Sequence, residues 1–112
     1  MLSFRTIVPH TLEHLKDIAV QKIQAIQGRG SKEDFYDLFF LLQHYTLEEM
    51  LCFYVQKYPQ FSMFRVRMSL TYFEDAENQD DPKLFEKVDW ETVKATIAEA
   101  VRKVNWNHFI EK

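Results

Sequence analysis

Between Leu12 and Gln27 the apolar residues fall at positions 12, 15, 18, 19, 23 and 26. That period of about 3.6 predicts an amphipathic helix, entered through Thr11 as its N-cap. Gly28 and Gly30 follow, and both are expected to take the left-handed conformation that ends a helix. Ser31 opens the next helix with Asp34 three residues on, a capping-box spacing, and Phe35, Leu38, Phe39 and Leu42 mark its buried face as far as about His44. Thr46 with Glu49 repeats the box for a third helix, which Pro59 stops after Tyr58. A fourth helix is expected over about 61–74, with Phe61, Phe64, Met68 and Tyr72 as its apolar stripe. Residues 75–83 are polar and broken by Pro82, which predicts an exposed loop. Asp89 caps a last helix striped by Trp90, Val93, Ile97, Ala100 or Val101, and Val104. Residues 1–8 read as a short strand or an extended arm closed by Pro9. The expected fold class is all-α: a single compact helical domain over 1–112, built as a bundle of about five helices.

Composition narrows the function classes. The chain has 112 residues, 46% hydrophobic and 15% aromatic, which excludes disorder and supplies a core. Two glycines in the whole chain, both in Gly28-Arg29-Gly30, argue against a β-rich fold or a glycine-rich phosphate cradle. The single cysteine, Cys52, excludes a disulfide framework and a thiolate metal cluster, and reads as an inert, packed thiol. The formal charge of −3 argues against avid non-specific binding to nucleic acid or an anionic membrane. The longest apolar run, Leu38 to Leu42, is far below the ~18 residues of a membrane span, and no export signal is evident. A cytoplasmic, reduced protein is expected.

The first helical hairpin carries the sharpest chemical feature. Lys22 lies inside the apolar face of the first helix, between Ile18 or Ala19 and Ile26, where an ammonium needs a partner or a route to water. The turn is centred between Arg29 and Gly30, so positions 22 and 37 lie level across the hairpin, each roughly 11 Å from the turn at ~1.5 Å per residue. Asp37 is the expected counter-charge, with Asp34 one turn nearer the loop and Arg29 and Lys32 in the turn itself. Such a convergence makes either a structural ion network or a polar ligand site.

The same segment resembles a known family. Asp17-Ile18-Ala19, then Lys22, Ala25-Ile26, Arg29-Gly30 and Lys32-Glu33-Asp34-Phe35-Tyr36-Asp37-Leu38, is similar to the signature of AbiEii/AbiGii-type nucleotidyltransferases. These are toxins of abortive-infection and type IV toxin–antitoxin systems, related to the polymerase-β-like superfamily. Leu70 to Glu77 and Val88-Asp89-Trp90 resemble the family's C-terminal part, so the likeness covers roughly residues 15 to 95. It implies catalytic roles for Lys22 and Asp37 and nucleotide-binding roles for Arg29, Lys32 and Asp34. It also implies magnesium and a nucleoside triphosphate as cofactor and substrate of the complete enzyme, RNA as acceptor, and an antitoxin as partner.

The departures from that family are equally informative. The family's catalytic half carries a Gly-Ser or Gly-Thr turn and an Asp-x-Asp pair for magnesium, which nucleotidyl transfer requires to neutralise charge at phosphorus. Residues 1–16 contain neither Asp nor Gly, and the acid-x-acid pairs Asp75/Glu77 and Asp89/Glu91 lack a neighbouring glycine turn. The expectation is therefore a helical C-terminal half, from a truncated or split gene or as a free-standing relic, with no metal ligands of its own, no strong binding of magnesium or nucleotide alone, and no activity alone. A separate catalytic domain would be its partner. The alternative is a non-enzymatic helical interaction module, a homodimer for example, since ten Phe and five Tyr exceed what five short helices readily bury. The string His10-Thr11-Leu12-Glu13-His14 matches a zinc-peptidase pattern, but Pro9 and Thr11 keep its two imidazoles off a common helix face. His44 and His108 are isolated, and the remaining aromatics follow core spacing rather than that of a base-stacking platform.

Overall fold

A computed structural model describes residues 12–82 and 88–110, with the side chains of residues 12, 13, 29 and 110 excepted. Among these residues the chain is all helix and turn, in the order α1 (Leu12–Arg29), α2 (Lys32–Leu41), α3 (Leu47–Lys57), α4 (Met63–Leu70), α5 (Trp90–Lys103) and α6 (Asn107–Ile110). The all-α bundle expected from periodicity is the one observed. The radius of gyration is 13.4 Å, that of a compact chain of this length. The expected strand or arm over residues 1–8, the Thr11 cap and the His10–His14 string lie outside the described residues or side chains.

Caps fix the helix starts. Ser31 Oγ accepts from the amide of Asp34 while Asp34 Oδ2 accepts from the amide of Ser31, and Thr46 and Glu49 form the same reciprocal pair. Tyr58, just before Pro59, is the C-cap of α3. Asp89 stands at the N-cap of α5 in extended conformation, but its carboxylate accepts from the Thr92 hydroxyl instead of a backbone amide.

α1 is the central rod, packed against α2, α3 and α4, while α5 closes over α2 and α4. Leu15, Ile18, Ala19, Ile23 and Ile26 of α1 meet Phe35, Leu38 and Leu41 of α2, Met50, Leu51 and Tyr54 of α3, and Val66 and Leu70 of α4 in one core. The Tyr54 hydroxyl pins α3 to α1, donating to Gln24 Oε1 and accepting from Gln27 Nε2, both at 2.8 Å. An aromatic cluster of Phe35, Tyr36, Phe73 and Trp90 joins α2 to α5, with Tyr36 stacked on Trp90.

Four sequence expectations need correction. No glycine takes a positive φ: α1 runs straight through Gly28 to Arg29. Gly30 is needed for space instead, because a Cβ there would lie 2.9 Å from Phe35 Cε2. α2 ends at Leu41 rather than near His44. α4 is shorter than expected and turned around: Met63, Val66 and Leu70 are buried, whereas Phe64, Met68 and Tyr72 are 74%, 55% and 53% exposed. The buried line is bordered by Ser62 and Ser69 on one side and by the exposed Arg67 on the other, as the exposed line is bordered by Arg65, so flanking charge does not choose between them. Finally, the polar stretch 75–83 is not a purely solvated loop. Ala76 is fully buried, Glu77 accepts from the Trp90 indole, and Asp81 reaches Lys32.

Candidate functional site

Helical phase puts Lys22 on the inner face of α1, one turn from Ile18 and one turn from Ile26, both of which are buried. On α2 the same logic brings Asp34 and Asp37 to the side facing α1, while Phe35 and Leu38 fill the core. The ammonium of Lys22 stands 2.9 Å from Asp37 Oδ2 and 3.1 Å from Asp34 Oδ1. Side-chain exposures of 4% for Lys22, 0% for Asp37 and 13% for Asp34 make this a nearly dry triad, open to water only along Asp34. The cross-hairpin facing of Lys22 and Asp37, expected from the turn's symmetry, is present.

Two opposing forces act on Lys22. Burial pulls its pKa down, but the hydrogen bond and charge of Asp37, followed by those of Asp34, outweigh that pull, so the net shift is upward from 10.5. The lysine therefore stays an ammonium. Asp34 has a second duty: Oδ1 meets Lys22 while Oδ2 caps the start of α2 at Ser31. One carboxylate thus couples the cap of α2 to the ion pair that sets the helix spacing.

Lys32 does not join the triad. Its ammonium lies 3.1 Å from Asp81 Oδ1 and over the Trp90 ring at 5.1 Å, and its backbone amide donates to Gln79 Oε1 at 2.7 Å. Beside it, Glu77 accepts from Trp90 Nε1 through one oxygen and from Lys94 through the other. This second polar cluster stitches residues 74–81 to the starts of α2 and α5. Sequence inspection missed it, because its partners are 47 and 49 residues apart and no periodicity links them. The side chain of Arg29 lies outside the described ones. Lys22, Asp34 and Asp37 are thus brought together, while Lys32 belongs to a neighbouring group.

The donor set does not suit a magnesium ion. The position between the two carboxylates is filled by an ammonium, and among the described residues no three His, Cys, Asp or Glu side chains converge. A cavity of about 620 Å³ lies elsewhere, at the α2–α3 turn and α5, lined among others by Leu42, Tyr45, Leu47, Glu99 and Val104 and by none of the candidate residues. Among the described residues no helix is long and apolar enough to cross a membrane.

No family model and no solved structure matches the chain. The chain is similar to an uncharacterized protein of Aquifex aeolicus (strain VF5), with 37% identity over 92 residues that make up 79% of this chain and 43% of the relative. It thus spans less than half the length of that curated relative.

Proposed function

We propose that the chain is the helical C-terminal part of an AbiEii-type nucleotidyltransferase, acting in the cytoplasm within a toxin–antitoxin or abortive-infection system. It would contribute Lys22 and Asp37 to a nucleotide site whose magnesium-holding carboxylates lie outside this sequence. The observation that carries the proposal is the buried ammonium held between two aspartates within the very hairpin that resembles the family. A relative more than twice as long as the matched segment leaves room for a further domain.

Charge limits what the triad does. One ammonium against two carboxylates sums to −1, so the triad as a unit does not attract phosphate. Two of the three Lys22 donors face carboxylates, and a ligand hydroxyl or carbonyl oxygen would reach the third only by entering along Asp34. Asp37 holds the ammonium in place, and Asp34, at the open edge, is the group a ligand would meet first. Lys32 would supply phosphate contact only after leaving Asp81. In the complete enzyme, a nucleotide would pass from a nucleoside triphosphate to an RNA acceptor.

The test is reconstitution. The chain alone is expected to transfer no labelled nucleotide from magnesium–NTP to RNA, and to do so when mixed with the product of the adjacent upstream reading frame. Lys22→Arg, which keeps the cation without the compact ammonium, should fold and yet lower transfer at least about tenfold. Full activity in both Lys22→Arg and Asp37→Asn would remove the site assignment. The alternative of a non-enzymatic interaction module draws on the exposed Phe64, Met68 and Tyr72.

A further inference from the structure

The outer face of α4 has a composition that the nucleotide site does not use. Phe64 and Met68 are one turn apart on the helix, and Tyr72 continues their line just beyond its end, all three more than half exposed. Two aromatic rings, each offering about 150–250 Å² when fully covered, plus a methionine make a patch of several hundred Å². Patches of that size with polar rims mark protein contacts. The rim is asymmetric. Arg65 lies at one end, beside Phe64, with no ion-pair partner among the described residues. At the other end Glu74 and Asp75 stand beside the Tyr72 hydroxyl, close enough to push its pKa up, and neither carboxylate has an ion pair among the described residues.

We propose that this face is the contact surface of a two-fold homodimer, in which Phe64, Met68 and Tyr72 of two copies pack antiparallel about Met68 and Arg65 of each copy meets Glu74 and Asp75 of the other. The charges choose the occupant and the direction. An antiparallel pairing centred on Met68 sets Phe64 against Tyr72 and brings each basic end to an acidic end. A parallel pairing would set Arg65 beside Arg65 and leave both acidic ends together. Arg65 is roughly 4.5 Å along α4 from Met68 at ~1.5 Å per residue, and the acidic turn lies past the helix end beside Tyr72. The surface is thus complementary to itself, as an isologous interface requires. A nucleic acid is disfavoured, because the acidic turn would lie against its phosphates.

Sedimentation velocity of the 112-residue chain across the micromolar range tests this. A concentration-dependent dimer that tightens at low salt is expected. Met68→Glu should raise the dissociation constant at least about tenfold while leaving the helical circular dichroism intact. Arg65→Glu and Glu74→Arg, each weak alone, should associate when mixed, because the mixed pair restores both cross-dimer contacts. A chain that stays monomeric throughout, whether or not a separate catalytic half binds the face, overturns the proposal. So does a dimer untouched by Met68→Glu, or a mixture no tighter than its components.

Discussion

Replacing Lys22 by Met removes a positive charge from between two carboxylates, one of them with no exposure to water. Methionine follows much the same course as the lysine stem, so the change in packed volume is small and the change in charge dominates. Asp37 keeps its 0% exposure with Asp34 still beside it and loses the ammonium 2.9 Å away, so a buried ion pair is broken from one side. Breaking a buried pair in this one-sided way costs about 3–5 kcal/mol. Set against a total stability of about 5–15 kcal/mol for a domain, that is about a fifth or more of the whole. At roughly 4 °C per kcal/mol for a chain of this length, the melting temperature should fall by about 12–20 °C. The second variant isolates the cause. Lys22→Met with Asp37→Asn keeps the shape of both side chains and removes the buried charge, so more than half of the lost stability should return. Urea melts at neutral pH measure both. A loss below about 1 kcal/mol in the single variant, or no recovery in the double, would refute the claim that the ammonium neutralises a buried charge.

The two glycines should respond in opposite directions. Gly28→Ala adds a methyl group to open space inside α1 and should raise stability by up to about 1 kcal/mol, whereas Gly30→Ala drives a methyl into the buried Phe35 ring and should cost about 1–3 kcal/mol, both read by urea melts. Alkaline pH should unfold the protein through Lys22. Its pKa is raised on folding, so its contribution is complete below 10.5 and is lost as pH climbs through the higher folded value; wild-type stability should fall in that window while that of Lys22→Met falls less, as paired pH–melt series measure.

What the sequence disclosed, and what it withheld, follows the range of the interactions. Ser31 with Asp34 and Thr46 with Glu49 were legible because a capping box is complete within four residues. Lys22 and Asp37 were legible because a short turn fixes the register of a hairpin as firmly as it fixes that of a ladder. The Lys32–Asp81 pair was not, since two further helices, α3 and α4, separate its residues along the chain. α4 shows a different limit. It carries two apolar lines, 64/68/72 and 63/66/70, and periodicity alone scores both. An arginine borders each line, Arg65 the first and Arg67 the second, so the flanks do not choose; packing against α1 and α5 does, and that is not written within α4.

Lys22 and Lys32 are both nearly buried lysines near one turn, and what holds each decides what each can do. Lys22 is clamped by partners on the adjoining helix, one of which also caps that helix, so moving it would loosen α2 itself. Lys32 is held by Asp81, whose side chain is 69% exposed and already well hydrated. Asp81 can pass into water, but the Lys32 ammonium, 6% exposed, stays buried and needs another anion in its place, whereas Lys22 and Asp37 are buried on both sides of their pair. Within the proposed enzyme the labour therefore divides. Lys22 and Asp37 position the hairpin and present one donor, whereas the exchangeable partner of Lys32 makes that lysine the one able to trade a carboxylate for a phosphate.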